Sequence, residues 1–257
     1  MLYVSFTCLP TRITNISLVL KSIQEQTLQP DKIIIHYPTK CIRLDIEYDI
    51  TELNKIIETL PIKDKVIIHL TKDYGPITKI YPILDMNLQE DDTIIIIDDD
   101  IYYNKYLFEA LYLDFNNENR EKAICISGLL YPEKLNSEYM CIRPGYQCQL
   151  MEAAFGYIIK KSFIQSDLSN WVIHAETNDD IKNQNFKNAF LSDDYVISRY
   201  FDTKNITKKV LNFTPYVNKS NTIENSDCKS FDSLSGLELN LNKYVRSEIE
   251  LKIKKLV

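Results

Sequence analysis

The stretch Ile94–Tyr103, IIIIDDDIYY, joins the most apolar run of the chain to its densest set of carboxylates. Four consecutive isoleucines lack the polar–apolar alternation of a half-exposed strand. Thr93–Ile97 is therefore predicted to be a strand covered on both faces, as strands of parallel sheets are. Asp98, Asp99 and Asp100 follow at once. Three adjacent carboxylates repel one another, and desolvation at a sheet end raises the cost further. A divalent cation removes that penalty, and carboxylate oxygens suit a hard ion such as Mg²⁺ or Mn²⁺. Ligands of open α/β sheets also collect at the carboxyl ends of strands, so the triplet reads as a candidate site rather than a solvated turn.

Working outward, short apolar runs alternate with amphipathic stretches, the pattern of βαβ units. Leu2–Thr7, Lys32–Tyr37, Lys65–Leu70 and Ala123–Ser127 are predicted strands. Ile16, Val19, Leu20 and Ile23 form one helical stripe, and helices are predicted near Thr51–Leu60, Ile77–Leu88 and Tyr106–Phe115. The second half is less regular. Tyr131–Gln149, with Pro132, Pro144 and Gly145, reads as a loop, and Met151–Ile159 as two short strands. A helix over Asp193–Phe201 and an edge strand at Lys208–Phe213 follow. Leu234, Leu237, Leu241, Val245, Ile249, Ile253 and Leu256 recur at helical spacing, predicting a C-terminal amphipathic helix over 234–257. That stripe is expected to dock on the parent domain, with a dimer seam or, through Lys252, Lys254 and Lys255, contact with an anionic membrane as the alternatives. Residues 1–233 are expected to form one domain, divided near residue 130.

The chain has 257 residues, of which 45% are apolar and 26% charged, a globular composition that excludes disorder as the main state. A formal net charge of −6 argues against gripping a nucleic-acid backbone. No apolar run approaches the ~18 residues of a membrane span, and the opening MLYVSFTCLP has no basic n-region. The expectation is a soluble, cytoplasmic protein. Cys8, Cys41, Cys125, Cys141, Cys148 and Cys228 form no CxxC pair, as suits reduced thiols. Heavy use of Ile, Asn, Lys and Tyr suits an AT-rich viral or microbial genome.

Four segments in order carry a family likeness: TCLPTRI (Thr7–Ile13), QTLQPDKIII (Gln26–Ile35), DYGPITKIYPIL (Asp73–Leu84) and IIIIDDDIYY. Together they resemble the GT-A glycosyltransferases, in particular the family-2-like members with a DXD signature, over about residues 2–202. The resemblance implies a GT-A-like (Rossmann-like) three-layer α/β sandwich with a mostly parallel central sheet. Residues 1–130 would form the nucleotide-binding half and 131–233 the acceptor half. The implied reaction moves a sugar from a nucleoside-diphosphate sugar to a hydroxyl of a glycan or other acceptor, with Mn²⁺ or Mg²⁺ and with inversion.

For single positions, the likeness assigns Asp98 and Asp100 to the metal, Asp98 also to ribose or sugar hydroxyls, and Asp99 a lesser part between them. Thr7 and Arg12 would hold the nucleotide, Asp73 its base or ribose, and Lys79 the diphosphate. In LSDDYVISRYF (Leu191–Phe201), Asp193 and Asp194 correspond to the acidic pair that supplies the catalytic base, with Asp194 preferred. By local physics alone, the same two residues simply favour a helix N-terminus. In EAAFGYIIKKSFI (Glu152–Ile164), Gly156 would let the donor sugar approach the backbone, beside Glu152 and Phe155; a β-bulge is the plain alternative.

His36, His69 and His174 all precede Asp193, so no histidine of the tail completes a metal shell; phosphates and water would do so. His36 and His69 read as structural, and Trp171 as a core or lid anchor. Two alternatives stay open: a haloacid-dehalogenase-like phosphohydrolase and a catalytically silent nucleotide-sugar-binding module. A nucleotidyltransferase would need a Gly-rich phosphate loop that TCLPTRITN lacks.

Overall fold

The computed structural model describes residues 1–130, 140–177, 179, 190, 192–212 and 221–222. In chain order the strands of the first half are β1 (Leu2–Thr7), β2 (Lys32–Pro38), β3 (Lys40–Cys41), β4 (Ile46–Glu47), β5 (Val66–Thr71), β6 (Thr93–Ile96) and β7 (Ile101–Tyr102). Those of the second half are β8 (Ala123–Leu130), β9 (Met140–Cys141), β10 (Gln147–Cys148), β11 (Leu150–Lys160), β12 (Lys208–Val210) and β13 (Asn221–Thr222). The helices are α1 (Ile16–Gln24), α2 (Ile50–Glu58), α3 (Leu107–Asn117) and α4 (Asp193–Thr203).

Among the described residues the main sheet has nine strands, in the order β10-β12-β8-β11-β6-β1-β2-β5 with β9 beside β8. Its centre is parallel: β1 pairs with β2 and β6, and β2 with β5. The architecture is the expected three-layer α/β sandwich, a mostly parallel sheet flanked by helices. Ile33–Ile35 and Ile94–Ile97 are fully buried, as unbroken isoleucine runs require, whereas β5 at the sheet edge is only half-buried. Chain order runs outward from β1 to β2 and β5, then returns to place β6 on the other side of β1. This reversal is a topological switch point. In open α/β sheets, ligands collect beyond the carboxyl ends of the strands at such a point.

The expected helix over Ile77–Leu88 is instead two 3₁₀ turns, Ile77–Lys79 and Tyr81–Asp85. Pro82 is the cause: it has no N–H to bond back to Thr78, and its ring would strike that carbonyl in an α-helix. Ile77, Ile80 and Ile83 are buried at a spacing of three, the period of the tighter helix. The two short strands expected in Met151–Ile159 are one strand, β11, whose pairing with β8 shifts register between Glu152 and Tyr157. Gly156 lies in this shift with φ +92°, so the bulge reading of that glycine is right about the backbone.

The stretch beginning at Lys208 is not an edge strand. β12 lies between β8 and β10, because its two lysines lay their stems in the sheet and find carboxylates. Lys209 meets Asp114 at 3.2 Å and Glu118 at 2.6 Å, and Lys208 pairs with Asp202. The expected loop at Tyr131–Gln149 contains β9 and β10; residues 131–139 lie outside the described residues, as does the expected helix over 234–257. The five described cysteines are all free. Trp171 is buried in the core with its ring edge-on to Tyr200. His36 and His69 face each other across neighbouring strands, Nδ1 to Nδ1 at 3.0 Å. No helix among the described residues is long and apolar enough to cross a membrane.

Ile95 pairs with Val4 of β1 on one side and Ile158 of β11 on the other, with no surface exposed. Ile95→Ala is expected to cost about 2–5 kcal/mol. The check is a lowered urea midpoint at unchanged m-value.

Candidate active site at the switch point

The loop after β1 and the triplet after β6 meet across the switch point. Leu9 donates its N–H to Asp99 Oδ2 at 2.9 Å, and Arg12 Nη1 reaches Asp99 Oδ1 and Asp100 Oδ2, each at 3.0 Å. Arg12 is held over the triplet by a 3₁₀ turn, Pro10–Asn15, which proline starts without wasting an N–H. The Asp98 N–H is accepted by the Tyr103 hydroxyl at 2.8 Å, and that hydroxyl also lies 3.2 Å from the Ala154 carbonyl of β11. Tyr103, five residues beyond Asp98, thus fixes the carboxyl end of β6.

Lys79 joins this cluster to a second one. Its ammonium is buried, 4% of the residue being exposed, and pairs with Asp98 and, at 3.0 Å, with Asp193 Oδ2. The Lys79 carbonyl accepts the Ser5 hydroxyl of β1 at 2.6 Å, which anchors the 3₁₀ turn to the sheet. Gly75 starts that turn at φ +73°; a Cβ there would lie 2.3 Å from the Phe190 carbonyl oxygen, so only glycine fits. Asp193 and Asp194 open α4, which packs on β11. Asp193 is buried, while Asp194 is half-buried and takes the Ala153 N–H on Oδ1 at 2.8 Å. The expected segments therefore converge: Arg12, Lys79, Asp98, Asp99, Asp100, Asp193 and Asp194 form one connected charged network.

Three other expected positions make local contacts within the fold. Thr7 turns its hydroxyl to the His36 carbonyl at 2.8 Å. Asp73 is buried, and its two oxygens take the N–H groups of Ile42 at 2.8 Å and Gly75 at 2.7 Å, so its carboxylate shapes two loops. Gly156 lies against the Ile96 carbonyl and the Ile97 side chain, at the root of the triplet. Glu152 accepts the Ser127 hydroxyl, and Phe155 is exposed. Local patterns missed Tyr103 and Tyr157. The Tyr157 hydroxyl is buried close to Asp193 and Lys79, with no hydrogen-bond partner among the described residues. The paired tyrosine in IIIIDDDIYY was the one available hint of the former.

Burial dominates the protonation of these groups, and charge then sorts them. Burial raises the Asp99 carboxyl against the pull of Arg12 and the Leu9 N–H. Asp100 is pushed up to about 7, by burial first and then by Asp99 and Asp98. Asp193 is raised by burial despite Lys79, and Asp194 is held well above the usual carboxylate range by burial and by Asp193. Burial works against the Lys79 ammonium, but Asp193, Asp98 and Asp194 outweigh it and keep the proton well above the ordinary lysine range. Among the described residues the network holds more carboxylates than cations.

Several solved structures resemble this fold. Among them, S. aureus TarS in complex with UDP-GlcNAc superposes with a TM-score of 0.54 at 14% identity, covering 84% of this chain and 57% of that one. The chain has a GT-A-like fold. A second TarS structure matches with a TM-score of 0.52 at 16% identity, over 84% of this chain and 36% of that one. The chain therefore spans well under two thirds of the length of TarS. A Francisella tularensis 2-C-methyl-D-erythritol 4-phosphate cytidylyltransferase has a TM-score of 0.46 at 12% identity, over 84% of this chain and 91% of that one. No protein-family model and no curated protein matches the sequence.

The raised Asp100 carboxyl sets a sign for stability. Its folded value of about 7 exceeds the ordinary ~3.9 of an unfolded chain, so the folded state binds the proton more tightly. That contribution is complete below about pH 4 and is lost as pH rises through about 7. Asp100→Asn is expected to raise the melting temperature in EDTA at pH 8, by about 2–4 °C for each kcal/mol of relieved repulsion. The gain should shrink towards pH 4.5 in differential scanning fluorimetry.

Proposed function

We propose that this chain is a glycosyltransferase that moves a sugar from a nucleoside-diphosphate sugar to an acceptor hydroxyl, with inversion and with Mn²⁺ or Mg²⁺. The observation that carries the proposal is the convergence, beyond one switch point, of the strand-end triplet Asp98–Asp100 and the helix-start pair Asp193–Asp194 through Lys79. Two carboxylate groups with separate duties are what such a transfer needs: one near the leaving diphosphate, one near the attacking hydroxyl. The likeness in fold to TarS, crystallised with UDP-GlcNAc, supports a nucleotide-sugar donor.

The residues present fit a hard cation. Asp98 and Asp100 offer carboxylate oxygens, and a small divalent ion commonly takes one or two of these and completes its shell from phosphate and water. Among the described residues no group of three His, Cys, Asp or Glu side chains is arranged to hold a metal ion, so phosphate and water would have to complete the shell. When bound, the ion offsets charge on the departing diphosphate. Arg12, beside Asp99 and Asp100, is placed to offer its guanidinium to phosphate. Gly156 is buried, and a Cβ there would meet the Ile96 carbonyl, Ile97 and Leu107, so this glycine shapes the bulge at the root of the triplet.

Asp194 is the proton acceptor in this reading. It is the more exposed of the pair, Ala153 anchors one of its oxygens, and its raised affinity for a proton suits a general base. Asp193 is tied to Lys79 and acts as its neighbour. A single displacement assisted by one base inverts the anomeric centre.

Thermal-shift screening of nucleoside-diphosphate sugars with Mn²⁺ identifies the donor, since bound ligand stabilises by mass action. With that donor, Asp194→Asn is expected to lower turnover by about 10²–10⁴-fold with donor KM nearly unchanged. Full turnover in the variant would remove Asp194 from the role. Release of phosphate from simple esters, with no response to any nucleotide sugar, would favour a phosphohydrolase instead.

A further inference from the structure

Each carboxylate of the triplet already carries a protein cation or an N–H donor. Asp98 Oδ1 holds the Lys79 ammonium, Asp99 takes Arg12 and the Leu9 N–H, and Asp100 Oδ2 takes Arg12. The triplet's three negative charges thus meet two positive ones, and Lys79 also serves Asp193. We propose that Lys79 and Arg12 act as internal counter-cations that close this strand end to a bare divalent ion, so that the ion enters only together with a diphosphate. The proposal rests on the functional reading above and adds to it the order in which the site fills.

The physical reason lies in how little these cations can move. The Lys79 side chain is 5% exposed and its ammonium is held by Asp193 as well as Asp98, so it stays beside Asp98 when an ion competes for that carboxylate. The Arg12 side chain is 11% exposed and spans two carboxylates. A bare doubly charged ion would therefore meet carboxylates of the triplet that already hold two positive groups, and would have to displace one of them. A diphosphate changes the balance. Its oxygens bring several negative charges and new acceptors for the Arg12 guanidinium, which releases Asp100 to the ion. By linkage, the factor by which diphosphate tightens the ion equals the factor by which the ion tightens diphosphate.

The test uses the full chain, MnCl₂ and UDP, and reads free Mn²⁺ by electron paramagnetic resonance, with no turnover required. Wild type is expected to take up Mn²⁺ at least ~10-fold more tightly with saturating UDP than without it. Lys79→Met and Arg12→Gln should each tighten Mn²⁺ binding in the absence of UDP by about 10-fold, the order of coupling measured between close charges. Arg12→Gln removes a partly exposed group and keeps the test valid if Lys79→Met fails to fold, which circular dichroism checks. Equal Mn²⁺ affinity with and without UDP in wild type would overturn the proposal and leave the transferase reading standing. So would UDP-dependent uptake in wild type with no gain in the folded variants. No Mn²⁺ uptake even with UDP would overturn both this proposal and the metal-assisted function.

Discussion

A buried ammonium can persist only where carboxylates surround it, and Lys79 is such a group. It is almost wholly withdrawn from water, yet Asp98, Asp193 and Asp194 keep it charged. Its partners come from the end of β6 and the start of α4, so this one ion-pair node welds the sheet end to the helix that covers it. The β1 strand joins through Ser5, which bonds the Lys79 carbonyl. Remove the node and the buried Asp193 and the half-buried Asp98 both lose their ion pair. The geometry of the whole candidate site depends on that single side chain.

Turn chemistry places it there. Gly75 supplies a left-handed backbone that no side chain could share with the Phe190 carbonyl, and Pro82 forbids an α-helix after it. A 3₁₀ turn results, tight enough to drop Lys79 into the sheet's polar end instead of leaving it on a solvated helix face. Asp73 reinforces the arrangement by holding the backbone at Ile42 and Gly75. Here residues suited to a ligand have been spent on building the loop that presents one.

The same field sorts two neighbouring aspartates into different duties. Asp193 gives its charge to Lys79, whereas Asp194 is anchored only by a backbone N–H and retains a strongly raised affinity for protons. One residue of chain separates them, but helix geometry turns their side chains in different directions. Adjacent acidic residues in a sequence are thus not interchangeable. Which one pairs with the cation depends on where the cation lies.

From its sequence alone this protein was legible as a mostly parallel α/β sheet with an acidic strand end. Unbroken isoleucine runs such as Ile33–Ile35 and Ile94–Ile97 report burial on both faces, and an aspartate triplet after a strand reports a concentration of charge that must find partners. Both are local patterns. Tertiary structure alone decided that Lys79 meets Asp98 and Asp193, that Tyr103 bonds back to the root of the triplet, and that β12 lies inside the sheet with its lysines paired. These contacts join residues far apart in the chain, or on opposite sides of a turn, and no periodicity encodes them. They arise because the strand order reverses beside β1, and that reversal brings distant loops to one sheet end where buried charges must find each other.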